Sequence, residues 1–184
     1  MPLLIQNFIL FQVGWLCAVL SGANQLPTIA AIGIVAFIVA VHLLRASESN
    51  REISLIVLTL IIGATWDSSL MVAGIFTFHT PTLLPVMAPL WLIAMWALFA
   101  TTINVSLRWL KGRYWLAALL GGIGGPLAYF AGHRLGAVTF SDTATALTAV
   151  AAGWAIIMPL LVLLAERYNG YAEINDSMQE AKTA

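Results

Sequence analysis

Asp67, Ser68, Tyr129, His133 and Arg134 offer the most chemistry in an otherwise apolar chain. Asp67 interrupts the apolar run from Ile53 to Phe76. An ionised carboxylate in such a run costs at least about 2.5–3.5 kcal/mol to place in lipid. It must therefore be protonated, paired or near water. Two readings stand: a proton carrier, general acid/base or counter-ion, and a structural hydrogen bond that orders the helices. Tyr129 and His133 are four residues apart and share a face if their segment is helical. With Asp67 and Ser68 they make a candidate polar site, in which Asp67 and His133 act as acid and base. Arg134 either pairs with Asp67 or extends to the headgroups. Other chemistry finds little support. No elbow motif surrounds Ser68, and Asp67, His79 and His133 match no helical metal spacing. No metal and no cofactor are expected. The glycines make no phosphate loop, because the Walker-type lysine is missing and no strand precedes them.

The segment that carries Tyr129, His133 and Arg134 runs from Gly121 to Gly136 and contains six glycines and Pro126. A helix loses about 1 kcal/mol for each interior Gly and about 3 for Pro. Close helix packing is one compensation; a glycine-broken helix at a binding site is the other. Ala117, Gly121, Gly125, Ala128, Gly132 and Gly136 recur at steps of three or four in an unbroken stripe of small residues. Gly63 begins a similar stripe that includes Asp67. Packing these two helices together would bring Asp67 to the level of Tyr129, His133 and Arg134.

The 184 residues are 61% apolar and 9% charged, against roughly 25% charged in a soluble domain. So few charges cannot cover a soluble fold, so the solvent is lipid. Net charge is zero and no Lys/Arg-rich run exists, which leaves no argument for nucleic acid. Cys17 is the only cysteine, which excludes an intrachain disulfide. Residues 8–20 resemble a signal-peptide core before Ser21-Gly22-Ala23, yet no basic residue precedes them. A retained first helix is expected.

Six helical spans follow from the apolar runs, at about 4–21, 28–44, 53–76, 86–110, 114–135 and 143–166, each long enough for roughly 30 Å of hydrocarbon. Together they make one domain, residues 1–167. Residues 168–184 read as a polar, disordered cytoplasmic tail. Ser49 and Asn50 are candidate caps for the third helix, and Glu166 with Arg167 reads as an ion pair at the membrane edge. Six spans place Arg45, Arg51, Arg108, Lys111, Arg113, Arg167 and Lys182 on one side and Arg134 on the other. By the positive-inside rule the crowded side is cytoplasmic, and so are both termini. The fold expected is an all-α polytopic transmembrane bundle. Several of the seven tryptophans suit an interfacial belt; Trp66 and Trp96 lie deeper and either pack or line a pocket.

Pro89-Leu90-Trp91, Trp96-Ala97-Leu98-Phe99-Ala100-Thr101-Thr102, Ser106-Leu107-Arg108-Trp109-Leu110, Gly124-Gly125-Pro126-Leu127-Ala128-Tyr129 and Gly132 together resemble a family of small bacterial polytopic inner-membrane proteins of unknown function. The resemblance covers most of the chain and carries over no activity and no residue role. It implies a multi-pass protein of the bacterial inner membrane, with genes set beside those of lipid-modifying enzymes. Three functions stay open: a protein that binds or moves a lipid or small amphiphile in the outer half of the bundle, a membrane-embedded lipid-modifying enzyme, and a scaffold. The expected partners are membrane lipid and, for the scaffold, a soluble lipid-modifying enzyme on the cytoplasmic face.

Overall fold

The computed structural model describes residues 2–171. Six α-helices follow in chain order: α1 Leu3–Gly22, α2 Thr28–Arg45, α3 Ser49–Val72, α4 Leu90–Ile103, α5 Tyr114–Arg134 and α6 Thr143–Arg167. A 3-10 turn, Arg108–Leu110, precedes α5. Two-residue strands, β1 Phe76–Thr77 and β2 Thr139–Phe140, pair antiparallel with Phe76 opposite Phe140. The fold is all-α apart from this small clip.

Five helices are long and apolar enough to cross a membrane; α4, with 14 residues, is not. The five present large apolar side chains outward, among them Phe8, Phe37, Ile61, Leu127 and Ile156. In water such a surface would drive association; in lipid it is solvated. No residue of α4 is exposed. An apolar helix of 10–14 residues is commonly a buried core helix, and α4 fits that description: it packs against α1, α2, α3 and α6.

The helix expected over 86–110 is therefore shorter at both ends. Pro89 is its extended N-cap (φ −59°, ψ 148°). Beyond Ile103 the backbone turns, with the amides of Val105 and Leu107 both donating to the Thr102 carbonyl. Irregular backbone is tolerated at membrane depth where protein encloses it, and Ile103, Asn104 and Val105 are all buried. The helix expected over 53–76 also moves. It begins at Ser49, and Gly74 ends it in the left-handed region (φ +71°). Neither Ser49 nor Asn50 caps it; the Ser49 hydroxyl donates instead to the Leu43 carbonyl at 2.8 Å. At the start of α6, Asp142 Oδ2 accepts from the Thr145 amide at 2.7 Å. That bond holds the exposed Asp142 carboxyl below the usual carboxylate range.

Two packing expectations need correction. The glycine stripe of α5 packs on α6, not on α3. A Cβ at Gly125 would lie 2.5 Å from Trp154 Cγ, and one at Gly121 would overlap the Trp154 carbonyl. Gly63 of α3 is covered by the Trp96 ring of α4. Gly132 is buried, but a Cβ there would meet Val138 at an ordinary 3.8 Å. Gly136 lies beyond the helix and makes a left-handed turn (φ +85°). Spacing alone gave a continuous stripe; the structure uses only its first part for helix contact.

Contacts define two ends of the bundle. At one end Arg45 donates to Gln6 Oε1 at 2.8 Å, and Glu166 accepts from the Gly112 amide and the Tyr114 hydroxyl, each at 2.7 Å. Glu166 is thus held by Gly112 and by Tyr114 at the start of α5, and among the described residues it makes no ion pair with Arg167. Arg51, Arg108, Lys111, Arg113 and Arg167 belong to the same end, which is here called the basic end. The opposite end holds the β clip, and Trp91 there donates to Thr80 Oγ1 at 2.9 Å. Of the expected tail, residues 172–184 lie outside the described residues. Residues 168–171 are folded back on the bundle, and Tyr171 is buried.

Candidate functional site

Asp67 lies on α3 facing α4, five residues before the α3 C-terminus at Val72. It is fully buried. Trp96 Nε1 donates to its Oδ2 at 2.7 Å, and the Tyr129 hydroxyl donates to its Oδ1. Three helices therefore meet at one carboxyl group. Gly63, one turn before Asp67, makes this possible by leaving room for the Trp96 ring. Tyr129 is held from the other side by Phe76 of β1, stacked at 5.3 Å between ring centroids. Phe76 in turn stacks on Phe140 of β2 at 5.5 Å. The β clip thus fixes the phenol that reaches the carboxyl.

The other expected members of the site lie elsewhere. His133 stacks on Phe140 at 4.4 Å and is 3.0 Å from the Val138 carbonyl through Nδ1, so that nitrogen is the donor. Arg134 is exposed and makes no ion pair with Asp67 among the described residues. Ser68 points away from Tyr129 and accepts from the Ala88 amide at 2.9 Å. Asp67 and Tyr129 come together; His133, Arg134 and Ser68 do not join them. Among the described residues no three His, Cys, Asp or Glu side chains are grouped to hold a metal.

Trp96 and Tyr129 also belong to the wall of a cavity of about 460 Å³. This lies within the roughly 300–1,000 Å³ usual for small-molecule sites. The cavity separates α5 from α1 and α4. One wall is aromatic: Phe11 and Trp15 of α1, Trp91, Trp96 and Phe99 of α4. The facing wall is α5 from Leu120 to Gly132, smooth with Gly121, Gly124, Gly125 and Ala128. Twelve residues of helix rise about 18 Å, so the cavity is an elongated slot. No Asp, Glu, Lys or Arg lines it. Along its rim Gln12 of α1 and Leu120, Gly124 and Ala128 of α5 are exposed, so it opens sideways between α1 and α5. The glycines of α5 thus serve two faces. Gly121 and Gly125 admit α6, while a Cβ at Gly124 would meet nothing within 4 Å.

A second buried polar cluster, at the basic end, escaped the sequence reading. His42 Nε2 and Glu52 Oε2 are 2.8 Å apart. Glu52 Oε1 accepts from Asn104 Nδ2 at 2.6 Å and from the Gly170 amide at 2.8 Å. Tyr171 donates to the His42 carbonyl at 2.5 Å. His42, Glu52, Asn104 and Tyr171 are all buried. Burial pushes the Lys111 ammonium down from its usual range, against the attraction of Glu52 and Glu166. Glu52 reads as part of the polar link Ala46–Glu52 in sequence. The available signal was its placement: His42 and Glu52 flank a link of three residues, 46–48.

A bundle of apolar helices with a laterally open apolar slot and no charged lining defines an integral membrane protein. Residues 4–160 match the family described as protein of unknown function, DUF2878, and the chain belongs to that family. No curated protein and no solved structure matches it.

Proposed function

We propose that this protein binds the apolar chain of a membrane lipid, or of an amphiphile like it, in the slot between α1 and α5. The observation that carries the reading is the slot itself: elongated, free of charged side chains and open toward the side on which the helices are apolar. A water-soluble ligand would have to enter through lipid. A lipid chain enters directly; moving from bilayer to slot removes no apolar surface from water, so its binding rests on dispersion contact with the aromatic and aliphatic walls. Asp67 then acts as a support. It orients Trp96 and Tyr129, which form the wall, and does not itself touch the ligand. The acid/base reading has less support, because Asp67 is enclosed and the Nδ1 atom of His133 is bound to Val138.

The same reading includes a bacterial inner-membrane location, six crossings and cytoplasmic termini. The charge distribution supports it: Arg45, Arg51, Arg108, Lys111, Arg113 and Arg167 gather at one end, and Arg134 stands at the other. In this reading the passage from Trp91, bonded at one end, to Gly112, bonded at the other, is the sixth crossing, made inside the protein.

Photo-cross-linking tests the lipid site. The protein is reconstituted in vesicles containing a phospholipid with a diazirine on its acyl chain, and adducts are mapped by mass spectrometry. Expected adducts concentrate on Trp15, Met95 and Ala128 and fall in Gly124→Leu, which fills the slot without a clash. Adducts spread evenly over the outward-facing Phe8, Phe37 and Ile156, and unchanged in Gly124→Leu, would overturn the reading.

A further inference from the structure

The cluster at the basic end does not touch the slot's ligand-facing wall, and its geometry shows a different property. Glu52 Oε2 and His42 Nε2 face each other at 2.8 Å, with no other hydrogen-bond partner on either atom among the described residues. One proton between them satisfies both, whether it is carried as imidazolium and carboxylate or as neutral imidazole and carboxylic acid. A second proton makes both atoms donors, and two hydrogens then occupy one short contact. The groups around the pair cannot relieve this in place. The Gly170 amide on Glu52 Oε1 is a donor only, and Asn104, which donates there through Nδ2, can accept only by turning its amide and giving up its bond to the Tyr168 carbonyl. Lys111 is cationic. Tyr171 already donates to the His42 carbonyl, with its oxygen 3.3 Å from His42 Nδ1. Arg45 extends away to Gln6.

What depends on this pair is the segment after α6. The Gly170 amide donates to Glu52. The Gly170 carbonyl accepts from the Glu48 amide at 3.1 Å and from the Ser47 hydroxyl at 2.8 Å. Tyr171 packs on the His42 ring, with centroids 4.9 Å apart. Gly170 fits so closely that a Cβ there would lie 2.5 Å from the Glu48 carbonyl and 2.7 Å from Glu52 Cγ. We propose that the Glu52–His42 pair is a proton-binding site, and that taking up a second proton unseats residues 168–171 from the basic end. Release would free Asn104 Nδ2 from the Tyr168 carbonyl and Glu52 Oε1 from the Gly170 amide.

Hydrogen exchange on the full chain in lipid nanodiscs tests this, with rates corrected for the intrinsic pH dependence. The Gly170 amide is expected to exchange at least about tenfold faster at about pH 4.5 than at about pH 7.5, as expected for loss of a hydrogen bond to a charged group. In His42→Gln the pair cannot accumulate two protons, and the amide can turn to donate or accept. That variant is expected to stay protected at both pH values. Gly170→Ala is expected to exchange fast at both, with α3 and α6 unchanged. Equal protection of wild-type Gly170 at the two pH values overturns the proposal, and this result needs no variant to fold. So does a wild-type pH response in His42→Gln.

Discussion

Tyr129→Phe removes one oxygen and leaves the ring on Phe76, so it isolates the bond to Asp67. Interhelical hydrogen bonds in membranes average about 0.6 kcal/mol and reach about 1.7. The Tyr129 bond belongs near the top of that range. Asp67 has no exposed surface, and among the described residues only Trp96 offers another donor. The expected loss is about 1.5 kcal/mol. Substitutions at Asp67 should then fall in a definite order. An Asn there can turn Oδ1 to Trp96 and offer its Nδ2 to the Tyr129 oxygen, so Asp67→Asn should cost under about 1 kcal/mol. Asp67→Ala strands both donors at about 1–3 kcal/mol each and leaves a cavity besides. Reversible unfolding in mixed detergent micelles, followed by tryptophan fluorescence, gives the three differences. A Tyr129→Phe loss below about 0.5 kcal/mol, or an Asp67→Asn variant as unstable as Asp67→Ala, would refute the arrangement.

The glycines of α5 give a paired test. Gly125→Ala should destabilise by about 1–3 kcal/mol through overpacking on Trp154. Gly124→Ala, one residue earlier, should be neutral or stabilising by up to about 1 kcal/mol from helix propensity; melting temperatures of the two variants decide it. Asp142 supplies a pH dependence. Its carboxyl is held below the usual range in the fold, so its cap is intact above that range and is lost as pH falls through the lowered value. Asp142→Asn should keep the cap and flatten the acid limb of the stability curve.

The lipid-facing character, the helices and Asp67 were all legible from composition and spacing, because a carboxyl in an apolar run stands out. Which of Tyr129, His133 and Arg134 reaches it was not. Counting residues fixes depth along a helix but not which neighbour the helix faces, so Arg134 and His133 stood as near in depth as Tyr129. Trp96 read as packing or pocket lining and not as a donor to Asp67, because an indole N–H carries no charge signal. The glycine stripe of α5 indicated close approach correctly but could not say that α6, not α3, fills it. The shortness of α4 had no sequence mark either. Residues 104–110 stay apolar enough to continue a helix, and only Asn104 bonding to Glu52 and Tyr168 shows where it stops. Glu52 was hidden by its polar neighbours Ser47–Arg51, which look like a solvated link.

The lateral slot is the centre of the account, and its occupancy can be observed directly. A cryo-electron density map of the protein extracted with its native membrane should show elongated density between α1 and α5, running beside Gly124 from the level of Leu120 to that of Gly132. A slot closed by α5 lying flat against α1 and α4, with no such density, would contradict it.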